Sequence, residues 1–496
     1  MNVDLSSIDP ALLELAQRID RRIRAGGGRV YLVGGSVRDA LLGRPVKDLD
    51  LEVFGLEPAR LRSLLEEEWR LDQVGESFAV LKLRHHPIDI SLPRRERKTG
   101  AGHRDFEIAA DPHLSIPEAA RRRDFTINSM LIDLETRTLE DPFEGRRDLE
   151  RRVLRHTSER FTEDPLRVLR GMQLAARFDL HPHPATVALS SAVPFEGLAR
   201  ERVFEEWRKL VLQGREISRG LRFLSDTGWI SRFPELQALI GCPQDPEWHP
   251  EGDVWTHTLH VMDAFAAERL GDDWEDVVVG FACLCHDFGK PATTVVEGGR
   301  VRSLGHEAAG EPPTRSFLAR LTNQTALHDE VVPLVRHHLK PRQLHDANAS
   351  DAAVRRLANK VGRIDRLARV ARADAGGRPP LPADDDAAGR WLLARAEALT
   401  LSDHRPTPLV LGRHLLARGL TPGPHFGPIL DRCFEAQLDG EFSTLEQGLA
   451  FLDRLLDGGG GPAAGGEPPS AEPQDAEPGA PRCGAPAEIK ARSGSS

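Results

Sequence analysis

Apolar positions along this chain change their period several times, and those changes divide it. Between residue 10 and about residue 24 they recur every three or four residues behind Asp9-Pro10, which predicts an amphipathic helix closed by Gly26-Gly27-Gly28. The run Val30-Tyr31-Leu32-Val33 is continuous instead, and it ends in Gly34-Gly35 followed by Ser36, a good N-cap, so it reads as strand, tight turn and helix start. Asp48-Leu49-Asp50-Leu51-Glu52-Val53 alternates; on a strand Leu49 and Leu51 face the core while Asp48 and Asp50 project side by side from the other face. A helix at about 57–69 and strand-like runs at 79–83 and 88–92 complete a mixed α/β region on a small sheet. The segment 93–103 is basic and nonperiodic and is expected to be a loop. Beyond about residue 150 the helical period takes over, including 202–212 and 221–233, and from Gly458 Gly, Pro, Ala and Glu dominate without any period. The expected segments are therefore 1–27 (N-terminal helix), 28–150 (head), 151–245 (helical neck), 246–380 (second helical domain), 381–457 (C-terminal helices) and 458–496 (disordered tail).

Composition narrows the class. With 496 residues, 40% hydrophobic and 29% charged, the chain has room for three or more domains, each with a core. It contains no run approaching about 18 uninterrupted apolar residues and no basic-then-apolar N-terminal signal, so the cytoplasm is the expected compartment and no membrane partner is expected. The five cysteines form neither a disulfide framework nor a zinc pattern, and reduced thiols are the simplest reading. The net charge of −10 looks wrong for a nucleic-acid binder, but binding follows the local field. Arg94-Arg95-Glu96-Arg97-Lys98, Arg121-Arg122-Arg123 and Arg146-Arg147 with Arg151-Arg152 concentrate positive charge in the first third, as RNA contacts or as solvated faces.

Two carboxylates side by side, Asp48 and Asp50, repel unless a cation lies between them, and Mg²⁺ commonly bridges such groups to substrate phosphates. The Gly34-Gly35 turn supplies backbone N–H groups suited to a phosphate. Taken alone, Asp-x-Asp could be a solvated strand face; joined to Gly34-Gly35-Ser36-Val37-Arg38-Asp39, both halves ask for the same ligand. This combination resembles the first motif of class II tRNA nucleotidyltransferases and bacterial poly(A) polymerases, within the polymerase-β-like superfamily. Asp89, on a strand expected near the pair, is a candidate third ligand or a plain edge-strand charge. Arg122-Arg123-Asp124-Phe125-Thr126-Ile127-Asn128 is similar to the family's second motif, which implies that Arg123, Asp124 and Asn128 meet the ribose and phosphates of the nucleotide; a carboxylate can accept from a 2′-hydroxyl.

Glu163-Asp164-Pro165-Leu166-Arg167, followed by Arg170, opens a helix. A carboxylate acceptor beside a guanidinium donor can pair with an amino group next to a bare ring nitrogen, an order presented by cytosine and adenine and reversed in uracil and guanine. Helix capping with an i,i+3 ion pair between Asp164 and Arg167 is the plainer alternative. The segment resembles the family's base-reading motif and stands in the expected order behind the other two.

A second chemistry starts near Trp248. His257, His286-Asp287 and Asp374 in Arg372-Ala373-Asp374 resemble the His, His-Asp, Asp pattern of the HD phosphohydrolase superfamily. The resemblance implies a divalent transition metal of unspecified identity held by these four, and His306, His337 and His338 resemble the added histidines of members with a second metal. A retained helical scaffold without activity is the alternative. Cys283-x-Cys285 reads as core packing.

The resemblance covers about 28–455 and implies an α+β chain: a polymerase-β-like nucleotidyltransferase head on a small mixed sheet, a helical neck, an all-α HD domain and a helical C-terminal part. The implied activity is template-independent addition of C and A, from CTP and ATP, to the tRNA 3′ end. Asp48 and Asp50 would hold Mg²⁺, Gly34, Gly35, Arg38 and Asp39 would organise the triphosphate, and Glu163, Asp164 and Arg167 would select the base. The rivals are a poly(A) polymerase, an A-only or CC-only enzyme, a metal phosphohydrolase with an inactive head, and a noncatalytic RNA-binding protein.

Overall fold

In the computed structural model, which describes residues 2–73, 80–98, 106–382 and 386–458, the head is a seven-stranded mixed sheet with a separate hairpin. In chain order its strands are β1 (Arg29–Val33), β2 (Leu49–Phe54), β3 (Leu71–Gln73), β4 (Val80–Leu83), β5 (Ile88–Ser91), β6 (Arg94–Lys98), β7 (Phe106–Ala110), β8 (Leu131–Asp133) and β9 (Leu139–Glu140). The sheet order is β3-β4-β5-β2-β1-β8-β9, parallel only between β2 and β5. The helix Pro10–Ala25, capped by the Asp9 carboxylate, buries Leu12, Ala16, Ile19 and Ile23 in the main core with Val30, Leu32, Leu49 and Leu51. The other face of β1 carries Tyr31 and Val33 into a small second cluster with Phe54 and Leu131.

Two local expectations are corrected. The segment expected to be a loop contains β6, which pairs antiparallel with β7 from Arg94↔Ala110 to Lys98↔Phe106. Its charges conceal it, because the apolar residues of this hairpin lie on the partner strand. The first turn is also capped differently: the helix Gly35–Leu41 has Gly34 as its N-cap, at φ +71° and ψ −136°, a backbone that glycine adopts without a Cβ penalty. Ser36 lies inside the helix, where its hydroxyl donates to Asp48 O and accepts from Asp50 N, both at 3.3 Å. It ties the turn to the acidic strand.

Behind the head, the neck helices Leu166–Phe178, Arg200–Gln213 and Ile217–Asp226 pack on one another. Gly220 permits the close crossing, since a Cβ there would stand 2.5 Å from Met172 O. Fully buried Trp207 meets Phe233 and Phe317 edge to face, with ring centroids 5.0 and 5.4 Å away, so the neck and the following helices share one continuous core. Those helices include Val254–Ala267, Asp273–Cys285, Thr325–His337 and Ile364–Gly376, which carry or flank the histidine-rich cluster.

The described residues form two compact units, one up to residue 407 and one from 408 to 458. The second has its own small core, including Leu415, Ile429, Cys433, Phe442 and Leu452, on helices such as Phe426–Asp439 and Leu445–Asp457. Cys242, Cys283, Cys285 and Cys433 are buried and unpaired, as expected; Cys483 lies outside the described residues. Of the expected tail, 458–496, residues 459–496 also lie outside them. Among the described residues no helix is long and apolar enough to cross a membrane.

Candidate active site and metal centre

β2 starts at Leu49, so Asp48 stands one residue before the strand and Asp50 on it, both exposed. The parallel register sets Asp89 of β5 opposite Asp50, and β4 sets Lys82 opposite Asp89, its ammonium 2.7 Å from Asp89 Oδ2. Asp89 is therefore next to the pair, with a cation already beside it. Desolvation by the surrounding protein pushes the Asp50 carboxyl up; Arg123 opposes this, while the charges of Asp48 and Asp89 add to it. Such a group gains from a cation beside it.

The turn reaches the same point. A Cβ on Gly34 would stand 3.2 Å from Arg123 Nη1 and 3.5 Å from Asp50 Oδ2, so backbone of the first motif, a carboxylate of the acidic strand and a guanidinium of the second motif converge within one side chain's width. This space suits an anion bridged by a cation, so the residues fit the Mg²⁺ expectation. Two arginines are aimed by a residue to which the sequence reading gave no role. Glu52, on the same strand, is fully buried and pairs with Arg122 Nη2 at 3.0 Å and Arg123 Nη2 at 3.5 Å. The only sequence signal was its place in Asp-x-Asp-x-Glu.

Arg38 and Asp39 hold the site's frame. Arg38 is buried over the Phe178 ring at 4.1 Å and donates to Asn128 Oδ1 at 2.6 Å and to Asp39 Oδ1 at 3.1 Å. Asp39 also lies 3.7 Å from Arg177. Asp124, expected at the ribose, is a buried hub: Oδ1 accepts from Phe125 N (2.7 Å) and Asn128 Nδ2 (3.0 Å), and Oδ2 lies 3.1 Å from Arg170 Nη2. Burial works to raise its carboxyl, but Arg170, Asn128 and the Phe125 N–H together hold it below the usual range. Arg170 thus joins the third motif to the second.

In the third motif Asp164 is extended and precedes the helix Leu166–Phe178; Oδ1 caps Leu166 N at 3.0 Å and Oδ2 lies 3.1 Å from Arg202. The Arg167 guanidinium goes to two backbone carbonyls, Arg122 O at 2.7 Å and Arg160 O at 2.5 Å, rather than to Asp164. The i,i+3 ion pair is therefore replaced by an arginine fixed on second-motif backbone. Glu163 is half-buried beside it, at the end of the 3₁₀ turn Glu159–Glu163.

The second cluster is buried. His257 Nε2 lies 3.3 Å from His286 Nε2 and 3.1 Å from Asp374 Oδ1; His306 Nε2 lies 3.2 Å from His338 Nε2 and 3.4 Å from Asp287 Oδ1. His286, His306 and His338 each direct Nδ1 to a backbone carbonyl, of Cys283, Ser303 and Val335 at 2.7, 2.7 and 2.6 Å. A neutral imidazole that donates there keeps its Nε2 lone pair free, so these lone pairs converge as a bound cation would require. Asp287 is ion-paired with Lys290 at 2.8 Å, yet neither buried oxygen receives a well-directed hydrogen bond. Of the three potential ligand groups among the described residues, one is His249, Glu251 and His257, and the other two are His257, His286 and Asp374, and Asp287, His306 and His338. Burial works to lower the His257 imidazole, but Asp374 and Glu251 raise it to about 9. His337 joins neither group: it lies one residue, roughly 100°, round the helix from His338, and burial followed by Lys360, Arg336 and Lys340 lowers it to about 4. Cys283 and Cys285 pack in the core, where burial pushes both thiols up.

The mixed sheet, glycine turn and paired carboxylates define a nucleotidyltransferase head. Residues 30–155 match the model of the poly A polymerase head domain. A multifunctional CCA protein of Stenotrophomonas maltophilia is 39% identical over 364 residues, covering 71% of this chain and 86% of its own. A multifunctional CCA protein of Xanthomonas oryzae is 36% identical over 416 residues, 82% of this chain and 96% of its own. The crystal structure of the Bacillus stearothermophilus CCA-adding enzyme in complex with CTP matches 91% of this chain and 98% of its own with a TM-score of 0.63; at 22% identity it shows a shared fold. This chain belongs to the multifunctional CCA protein family.

Proposed function

We infer that this chain adds C and A nucleotides to the 3′ end of tRNA, with CTP and ATP as donors, and that the convergence of Gly34, Asp50 and Arg123 is where the triphosphate sits. The head depends on a divalent cation, and Asp48 and Asp50 are the residues that would hold Mg²⁺, which when bound supplies electrophilic activation of the transferred phosphoryl group. The chain's own groups supply the rest. Arg123, aimed by Glu52, offers charge-assisted donors to phosphate oxygens. Arg38, Asp39, Asn128 and Asp124 keep the three motifs in register, so the nucleotide meets a prearranged pocket. Asp164 and Arg167, held separately by a helix start and by backbone carbonyls, present an acceptor and a donor to the base edge; this order admits C and A and disfavours U and G without a template. Asp89 serves the site as a neighbour of Asp50, through its charge or as a further ligand.

The test uses three tRNA transcripts, ending before CCA, after C and after CC, each given CTP, ATP or both. Completion of all three with both nucleotides is expected. A single A added only to the CC-ended transcript would mean an A-only enzyme, and long A tails a poly(A) polymerase.

The buried lone pairs of His286, His306 and His338 favour a second activity, hydrolysis of a phosphoester on RNA ends by the HD region with a divalent transition metal. His286→Ala is expected to remove that hydrolysis and leave nucleotide transfer intact. We place the protein in the cytoplasm, where its buried unpaired cysteines remain reduced.

A further inference from the structure

We propose that Glu251 is a positioning residue of the histidine-rich cluster, whose carboxylate holds His257 so that Nε2 presents its lone pair to a divalent metal. The proposal rests on reading that cluster as a metal site, and it adds a group outside the His, His-Asp, Asp pattern.

Glu251 lies in the turn before the helix Val254–Ala267 and its side chain is only 1% exposed. A carboxylate buried to that degree must be met by donors. Two imidazoles meet it: Oε1 lies 2.8 Å from His257 Nδ1 and 2.8 Å from His249 Nδ1. An imidazole that ligates a metal is neutral and carries one N–H; with that proton on Nδ1, directed to Gly377 O at 3.1 Å and beside Glu251, Nε2 is the nitrogen left to ligate, facing His286 and Asp374. His286, His306 and His338 receive this orientation from backbone carbonyls, whereas His257 has both a carbonyl, Gly377 O, and a carboxylate, Glu251, at its Nδ1. A carboxylate behind a ligating histidine fixes the ring and makes it a stronger donor to the metal.

The turn is tied to both halves of the cluster. Gly252, at φ +128°, reverses the chain after Glu251, and Asp253 caps the helix that carries His257, with Oδ1 accepting from Thr256 N at 2.9 Å. Gln244 donates to Gly252 O at 3.3 Å and accepts from Lys290 Nζ at 2.6 Å; Lys290 in turn lies 2.8 Å from Asp287.

The experiment measures Co²⁺ affinity by chelator competition, together with the visible Co²⁺ spectrum. It uses the full-length chain in an Asp48→Ala, Asp50→Ala background, so that the head contributes no carboxylate pair. Adding Glu251→Ala is expected to weaken Co²⁺ binding roughly 10- to 100-fold and to change the spectrum. Glu251→Gln, which keeps the shape and one acceptor but not the charge, is expected to fall between. Each variant is checked for an unchanged unfolding midpoint of the head, and Glu251→Gln serves where Glu251→Ala unfolds. Affinity and spectrum unchanged in both variants would overturn the role of Glu251 while leaving the metal site standing. Loss of one Co²⁺ per chain with the remaining sites unaltered would make Glu251 a ligand of a separate ion and overturn the positioning role. Failure of the Glu251-intact protein to bind Co²⁺ would overturn the metal reading and this proposal with it.

Discussion

Gly34→Ala tests the geometry on which the head's chemistry depends. At φ +71° and ψ −136° the Gly34 backbone lies in a region nearly reserved for glycine, and a residue with a Cβ costs about 1–3 kcal/mol there. The added methyl also meets the Arg123 guanidinium at 3.2 Å and Asp50 Oδ2 at 3.5 Å. The first contact is tighter than ordinary, but the far end of an arginine can retreat by a few tenths of an ångström. The expected loss of stability is therefore set by the backbone, about 1–3 kcal/mol, read by urea unfolding. The expected loss of activity is larger, because the methyl fills the space assigned to a phosphate and pushes on two groups that would hold it. A misplacement of about 1 Å costs roughly 100-fold in rate, read as kcat/KM for CTP on a tRNA ending before CCA. The hydrolysis proposed for the histidine-rich cluster should not change. A Gly34→Ala protein with wild-type stability and wild-type kcat/KM would refute both the strained turn and the phosphate space.

Glu52→Ala strands two guanidiniums that its buried carboxylate pairs with, and is expected to cost about 3–5 kcal/mol in denaturant unfolding; a loss under 1 kcal/mol would mean that Arg122 and Arg123 do not need it. Trp207→Ala removes the side chain shared by the neck and the helices that follow it and is expected to cost about 3–5 kcal/mol, with a single unfolding transition of the first unit becoming two if the shared core is what couples them. In chelator, the His257 imidazole, raised to about 9 against burial by Asp374 and Glu251, adds stability that is fully present below its unfolded value of about 6.5 and is lost as pH rises through about 9. Unfolding free energy of the chelated protein is therefore expected to fall across that window, and His257→Gln is expected to flatten the fall; an unchanged slope would exclude His257 as its source.

Short-range patterns made much of this legible. The strand, turn and acidic strand of the head could be read because apolar alternation and two glycines act within about 20 residues, and the histidine-rich cluster could be read because adjacent His286 and Asp287 end an apolar helix. What escaped depends on angles or on distant partners. Whether Gly34 or Ser36 caps the first turn is decided by the sign of one φ. The strand Arg94–Lys98 is hidden because all five of its residues are charged and the apolar residues of the hairpin stand on its ladder partner, Phe106–Ala110. Glu52 meets Arg122 across 70 residues, and Arg170 meets Asp124 across the second and third motifs, contacts that no local period encodes. His337 and His338 cannot be told apart until the helix phase is known, and only His338 turns its Nε2 to His306.

The most direct test of the central claim compares the wild-type chain with Asp48→Ala plus Asp50→Ala for incorporation of CMP and AMP into a tRNA that lacks CCA. Asp48 projects into solvent, and desolvation by the surrounding protein together with the charges of Asp48 and Asp89 holds the Asp50 carboxyl above its usual pKa, so the double variant should unfold at the wild-type midpoint or slightly above it. The account predicts complete CCA addition by the wild type and none by the folded double variant; undiminished incorporation by that variant would contradict it.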